Sequence, residues 1–467
     1  MSGPRATGRR VVVIGGGITG LTAAFSVLAD AHEPTEVTVL EASPTVGGLI
    51  RTSPFAGLPA VDEGADAFLT RVPWAVQLAG DIGLGAALTS PTGAGAYVWH
   101  DGLHEIPGDI LMGVPAKVRA FAMSGLFSPL GKLRAGIEPV LPRMPHGDSI
   151  GSLIRRRFGR QVHERLVDPL VGSIYAADTD RFSLEAVPQI NALSSRRSLL
   201  AAAADARKTP AQPGPVFAVP LRGMGSMVET LAAKVTSLGG RIITSARVNE
   251  IVASSGGYLV LTGSESLQCD AVVVASPAAH SAQMVRPLDA EVSEALARWD
   301  HASVVMVTLA VPGHQWRGEW TGSGYLVPKP DQRWVTAVSF GSNKWAHWRP
   351  GDGSRVLRVS LGRDGADVMH NDDSTLLDLT LADLKHHLAT DFEPKEVRIT
   401  RWTHSFPQYR PGHFARLSRI EAELAQSAPG VFLAGASYRG IGIPACVQQG
   451  RTAAASVLAH LDARPTA

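Results

Sequence analysis

A chain of 467 residues, 45% hydrophobic and 18% charged, has enough material for two or three ordinary domains with their own cores. A formal net charge of +2 gives no basic footprint for nucleic acid. Two distant cysteines, Cys269 and Cys446, exclude a disulfide scaffold and lack metal-ligand spacing, and no run approaches the roughly 20 apolar residues that span a bilayer.

Residues 1–10, with Arg5, Arg9 and Arg10, read as a loose terminal extension rather than an export signal, because glycines break the apolar run that follows. A reducing cytoplasm is therefore expected, with peripheral membrane contact left open. Val11-Val12-Val13-Ile14 suits a buried parallel strand, and Gly15-Gly16-Gly17-Ile18-Thr19-Gly20 then allows a tight turn beneath a pyrophosphate before a helix over 21–29. Glu36–Glu41 is the next strand. Glu41, 21 residues after Gly20, stands where an acid accepts the hydroxyls of an adenosine ribose, which favours FAD or NAD(H) over NADP. The second glycine pair, Gly47-Gly48, directly follows; a flavoprotein folds such a loop back over its cofactor, whereas a purely NAD-binding unit has no general need of it.

Further along, Gly64 permits close backbone approach to a ligand, and Arg71 could bind a carboxylate. Leu78–Leu84 predicts a short helix, and Tyr97–Leu103 a hairpin with an Asp101-Gly102 turn. Residues 109–210 change character: helical spacing with proline punctuation predicts a mostly helical insertion lining a substrate cavity. Within it, Ser149–Gly159 is a helix whose arginines are expected to face its C-terminal end and solvent. Leu166–Asp178 reads as a buried cavity wall, and 189–215 as one helix followed by a poorly structured crossing.

Phe217–Met227 is a strand and turn feeding a helix to Leu238, and Arg241–Thr244, Ala246–Ile251, Gly257–Leu261 and Asp270–Ala275 are strands. Ser303–Leu309, Gly324–Val327, Trp334–Phe340 and Arg355–Leu361 form a second strand-rich region, where the clustered tryptophans read as packing. Val431–Gly435 returns as a buried strand, and Gly440–Pro444 opens a small-residue helix over 445–458. His404 and His413 read as hydrogen-bonded structural histidines and Asp178 as a loop ligand. Neither a catalytic side chain nor a metal cluster stands out.

The Gly15–Gly20 turn, Glu41-Ala42, Gly47-Gly48, Gly64–Arg71, Pro169–Asp178, Pro220–Met224, Trp402–Tyr409 and Gly435–Gly450 together resemble the flavin-containing amine oxidase superfamily, and within it the bacterial coproporphyrinogen oxidases. The resemblance implies an α/β (α+β overall) fold. Its Rossmann-like FAD-binding domain would be assembled from residues 1–85, 211–285 and 397–467. A mixed-sheet substrate domain would cover 286–396 with an edge at 86–108, and the helical insertion 109–210. It also implies that Gly15, Gly16, Gly17, Ile18, Thr19, Gly20, Glu41, Ala42, Gly48, Leu49, Gly64, Ala65, Asp66, Ala67, Val248, Trp402, Gly435, Ile441, Gly442 and Ile443 line non-covalent FAD, and that Arg71 meets a substrate propionate. Two departures weaken the subfamily assignment: Leu49 stands where a basic residue is common, and Ala65 where a proline is. Cys446, inside the last helix, is not expected to carry the flavin covalently.

The implied reaction is oxidation of coproporphyrinogen III to coproporphyrin III, with hydride transfer to flavin N5 and reoxidation by molecular oxygen giving hydrogen peroxide. A downstream ferrochelatase is the implied transient partner, and homo-oligomerisation is left open. The competing readings are a protoporphyrinogen IX oxidase, another flavin amine oxidase or desaturase, and a non-catalytic flavin-binding structural protein.

Overall fold

The computed structural model describes residues 9–142, 146–208 and 214–464. Strand β1 (Arg9–Ile14), helix α1 (Ile18–Asp30) and strand β2 (Thr35–Leu40) open the chain. β1 and β2 pair in parallel with Arg241–Ile243 outside β2, and Ala271–Val274 and Val431–Leu433 continue the sheet beyond β1. All five strands are parallel, and segments far apart in sequence supply them. β1 is apolar on both faces because both are covered. Val11 and Val13 pack with α1 and the long C-terminal helix Ile443–Asp462; Val12 and Ile14 pack with the Val248–Cys269 antiparallel strands and the helices Ala278–Val285 and His413–Ser427.

The C-terminal helix crosses α1 closely. A Cβ on Gly450 would come within 2.5 Å of Thr19 O, so only glycine allows this approach.

A seven-stranded mixed sheet forms the second layer system, in the order 396–407, 301–311, 355–361, 335–340, 324–326, 97–99 and 103–105. The hairpin at its edge turns through Asp101 (φ 53°) and Gly102 (φ 142°), both left-handed, as an Asp-Gly hairpin turn requires. Trp345 and Trp348 are fully buried and Trp320 nearly so, which makes them packing residues as expected. Residues 118–142 and 146–206 are mostly helical. Ser149 caps helix Ile150–Phe158 by accepting from Ser152 N (3.2 Å), and Gly159 ends it at φ 89°.

Several local expectations are corrected. Arg9 and Arg10 belong to the first strand, where Arg9 pairs with Glu33 (3.1 Å); residues 1–8 lie outside the described residues. The short helix spans Trp74–Asp81, starting behind Pro73 rather than at Leu78. Arg157 is not solvated: it is buried with Glu138, its Nε donating to Oε1 at 2.8 Å. The crossing after 189 holds a second helix, Leu199–Ala206, capped by Ser198 and by the backbone N–H of Leu199 donating to Glu138 (2.8 Å). The remainder of that crossing, at 209–213, lies outside the described residues.

Candidate functional site

The loops after β1, β2, Ala271–Val274 and Val431–Leu433 converge at the carboxyl ends of the parallel strands, the crevice where such sheets bind ligands. Gly15 takes φ 109°, donates its N–H to Leu40 O (2.8 Å) and leaves no room for a side chain, since a Cβ would stand 2.6 Å from Ala275 O. A Cβ on Gly20 would overlap Gly15 O, so the helix folds back on the turn only because that atom is missing. Gly17 differs from both. Nothing lies within 4 Å of the position its Cβ would take, so the space over it is open. Gly17 N-caps α1 with no side-chain cap and no acid in the first turn, which leaves the helix's first N–H groups and positive end available to an anion. Ile18 and Thr19 follow as the first buried residues of that turn.

Glu41 is buried, and its two oxygens accept from Gly16 N (2.7 Å) and Ser43 N (2.8 Å). It thus fixes the phosphate turn and the loop of Ala42, and each oxygen keeps a further lone pair for a ligand hydroxyl. The second glycine pair lies against the first loop: Gly47 N donates to Gly16 O (2.9 Å), and a Cβ on Gly48 would come to 3.6 Å from Gly17 Cα. Leu49 follows, 47% exposed. Val248 starts its strand where Ser245 N and Ala246 N donate to Ser43 O and Glu41 O, both at 2.9 Å, so the chain brings it beside Glu41.

A second wall forms around Gly64. A Cβ there would meet Leu49 O (2.9 Å) and the Trp402 ring (3.1 Å); Trp402 Nε1 donates to Glu63 O (3.3 Å), and Arg51 lies over the same ring at 5.2 Å. Arg358 donates to Gly64 O. The backbone of Gly64, Ala65 and Ala67 runs through this wall, but the Asp66 side chain is committed elsewhere. It pairs with Lys344 (2.8 Å) and Arg358 (3.3 Å) and accepts from Trp345 Nε1 (3.1 Å). Burial opposes its ionisation most strongly, yet the two cations hold its carboxyl well below the usual range. Beneath lies Asp62, fully buried, with Oδ1 accepting from Thr52 Oγ1 and Met224 N (2.8 Å) and Oδ2 without a partner. Burial raises its pKa to about 6 against those bonds and the Arg358 charge.

The third wall is the C-terminal loop. Gly435 follows Val431–Leu433, and Ile441 and Gly442 lead into the helix that begins at Ile443, with no side-chain cap on its N-terminus. Gln449 ties the loop: Gly435 N (3.2 Å) and Arg439 N (3.1 Å) donate to its Oε1, while its Nε2 donates to Gly440 O and Ala445 O (both 3.2 Å). Tyr409 adds a second tie, accepting from Gly440 N (3.1 Å) and donating to Ala436 O. Cys446 directs its buried thiol at Gly440 O and Ile441 O, and burial pushes its pKa to about 11. Neither Gln449 nor the Tyr409 hydroxyl carries a sequence signal for this role.

Arg71 is half-buried, two residues after Phe68–Leu69, which pairs with Phe217–Ala218. Val216 and Phe217, which lie across from Thr70 and Leu69, are 43% and 44% exposed. His413 is neutral at ordinary pH: burial lowers its pKa to about 4, and its Nε2 donates to Tyr438 O (2.8 Å). His404 is exposed at a strand bulge with φ 48°.

Residues 18–458 match the flavin containing amine oxidoreductase family. The chain is 34% identical to coproporphyrinogen III oxidase of Bacillus subtilis (strain 168), covering 97% of this chain and 98% of that protein, and 29% identical to the enzyme of the same name from Staphylococcus aureus, covering 97% and 100%. A crystal structure from Exiguobacterium sp. 255-15, provisionally assigned as a protoporphyrinogen oxidase, superimposes with a TM-score of 0.86 at 28% identity over 97% of this chain and 99% of that one. Cyclohexylamine oxidase from Brevibacterium oxydans IH-35A shares the fold with a TM-score of 0.70 at 18% identity, covering 97% and 99%. The open cradle at Gly17, the two interlocked glycine turns and the full-length match agree: the chain belongs to the flavin-containing amine oxidoreductase family and is a flavin-dependent oxidoreductase.

Proposed function

We propose that this protein oxidises coproporphyrinogen III to coproporphyrin III in haem biosynthesis, with non-covalent FAD and with molecular oxygen as terminal acceptor, released as hydrogen peroxide. The observation that carries this reading is the near full-length likeness to enzymes named coproporphyrinogen III oxidase. FAD, when bound, takes up the electron pairs that leave the substrate, so three rounds account for the six electrons lost.

The chain's own residues supply binding and orientation. Gly15 to Gly20 and the start of α1 would hold the pyrophosphate, Glu41 the ribose, and Gly48, Leu49, Gly64 to Ala67, Val248, Trp402, Gly435 and Ile441 to Ile443 the rest of the cofactor. The C-terminal helix would present its positive end to the ring edge that gains negative charge on reduction. Cys446, hydrogen-bonded inward to two carbonyls, supports non-covalent attachment. Arg71, half-buried, is the residue proposed to meet a carboxylate of the substrate. His413 is buried with its Nε2–H held on Tyr438 O, as a structural histidine would be. Orientation alone can lower a barrier by several kcal/mol.

Peripheral membrane contact belongs to the same reading. Among the described residues no helix is long and apolar enough to cross a membrane. Met123, Leu130, Leu133 and Val140 are nonetheless 65–80% exposed on the helical region.

The test is anaerobic mixing of the flavin-loaded enzyme with coproporphyrinogen III, protoporphyrinogen IX and a simple amine while flavin bleaching is followed. Coproporphyrinogen is expected to bleach fastest. Equal or faster bleaching by protoporphyrinogen overturns the substrate; bleaching by the amine alone moves the protein to the amine oxidases; a flavin that none of them reduces marks a non-catalytic binder. Arg71→Ala should weaken porphyrinogen use and leave flavin occupancy intact.

A further inference from the structure

A cleft of about 320 Å³ opens between helices Ala290–Ala297 and His413–Ser427. That is the lower end of the volumes of small-molecule sites, about 300–1,000 Å³, and too small for a macrocycle. Arg298, Arg410, Arg416 and Arg419 line it over a floor that includes Trp299 and Gln408. Two carboxylates, Asp300 and Glu423, face these four guanidinium groups, so the lining is net cationic.

The arginines are not equally engaged. Arg410 is spent: its Nε donates to Asp300 (2.8 Å) and its two terminal nitrogens to Asp364 (2.6 and 2.8 Å). Arg416 gives one N–H to Pro411 O (2.9 Å) and keeps the others. Arg298 has only Glu294 at 3.6 Å, with both side chains more than 70% exposed, a pairing worth little. Arg419 has no hydrogen-bond or ion-pair partner among the described residues. Three guanidinium groups with unspent N–H donors thus share one concavity. Guanidinium forks match carboxylate and phosphate oxygens.

The floor is held rigidly. Gln408 is only 4% exposed, and its amide nitrogen is taken up by Tyr175 O and Phe406 O (both 3.1 Å), but its Oε1 has no partner. That oxygen is itself closed off from solvent, so the donors the cleft offers an anion are those of the guanidinium groups. We propose that this cleft is a binding site for a small polyanion, carrying two or more carboxylate or phosphate groups, separate from the flavin crevice.

The site is wired to the flavin side by packed rings. Trp299 lies 4.8 Å from the His413 ring, and His413 lies 4.3 Å from Tyr409. The Tyr409 hydroxyl holds Gly440 N and Ala436 O in the loop before the C-terminal helix. The proposal stands independently of which porphyrinogen is oxidised.

The test uses the flavin-loaded enzyme titrated calorimetrically with citrate and, separately, with inorganic pyrophosphate, at constant ionic strength. Saturable 1:1 binding of either is expected, the stronger of the two naming the anionic group. The Arg298→Ala/Arg419→Ala double variant, altered at exposed positions only and checked by its flavin content, should bind about tenfold or more weakly, since charge-assisted hydrogen bonds are worth about 1.5–3 kcal/mol each. If neither probe saturates, or if the double variant binds as the wild type does, the cleft is not an anion site.

Discussion

Two glycines of one turn, Gly17 and Gly20, have opposite requirements, which makes them separable by mutation. At Gly17 the backbone is extended (φ −77°, ψ 177°) and the space beyond it is open, so a β-branched residue fits the protein but fills the cradle. Gly17→Val should therefore leave the melting temperature of the flavin-free protein near the wild-type value while flavin affinity falls about tenfold or more, as judged by visible absorbance per protein. Gly20→Ala should do the reverse, destabilising the flavin-free protein by about 1–3 kcal/mol, because its Cβ would overlap Gly15 O. Asp62 carries a different prediction. Burial raises its pKa from 3.8 to about 6, so the folded state holds the proton more tightly than the unfolded chain. Its contribution is fully present below 3.8 and is lost as pH rises to about 6. Asp62→Asn keeps an acceptor for Thr52 and Met224 without the charge. Denaturant melts should show the variant gaining up to about 3 kcal/mol on the wild type above pH 6, with the difference vanishing near pH 4.

At the scale of elements, the parallel strands were legible because burial on both faces writes a continuous apolar run, and the hairpin at Asp101-Gly102 because its turn chemistry is local. What was not legible is non-local. Arg157 reads as a helix-end cation until Glu138, 19 residues away, is folded against it. Gln449 is an ordinary helical glutamine until Gly435 and Arg439 are brought to it. Asp66 sits in the stretch Gly64–Ala67 that the sequence assigns to the cofactor, and only the fold shows its carboxylate turned to Lys344 and Arg358. The helical region also exposes a face that its spacing alone does not reveal. Leu130, Leu133, Ile137 and Val140 recur every three or four residues and are 40–78% exposed, with Lys132 between them and Met123 nearby at 80%. Such a face suits the boundary of an anionic bilayer. Cosedimentation with vesicles containing anionic lipid should be reduced severalfold by Leu130→Gln/Leu133→Gln, with porphyrinogen oxidation in detergent-free buffer unchanged. Equal sedimentation of both proteins would remove the membrane contact.

Across the whole molecule, the parallel sheet and the seven-stranded sheet meet where the cofactor would lie, and Asp66 joins them. Its carboxylate comes from the segment after β2, its cations Lys344 and Arg358 from the seven-stranded sheet and the helix beside it, and Arg358 in turn holds Gly64 O in the wall beside Trp402. Asp66→Ala leaves Arg358 buried without its counter-charge, a situation that costs about 3–5 kcal/mol, more than an exposed pair could. The loss should not be uniform, because the nucleotide lobe keeps its own core while the wall between the sheets loosens. Denaturant unfolding followed by flavin release and by tryptophan fluorescence should give coincident curves for the wild type. In Asp66→Ala, flavin release should come first, at a denaturant concentration below the tryptophan transition. Acid should reproduce this separation in the wild type: the carboxyl's pKa is depressed in the fold, so its contribution is present above 3.8 and is lost as pH falls further. Coincident curves in the variant would mean that Asp66 stabilises the nucleotide lobe alone and that the two sheets are held together by their apolar contacts.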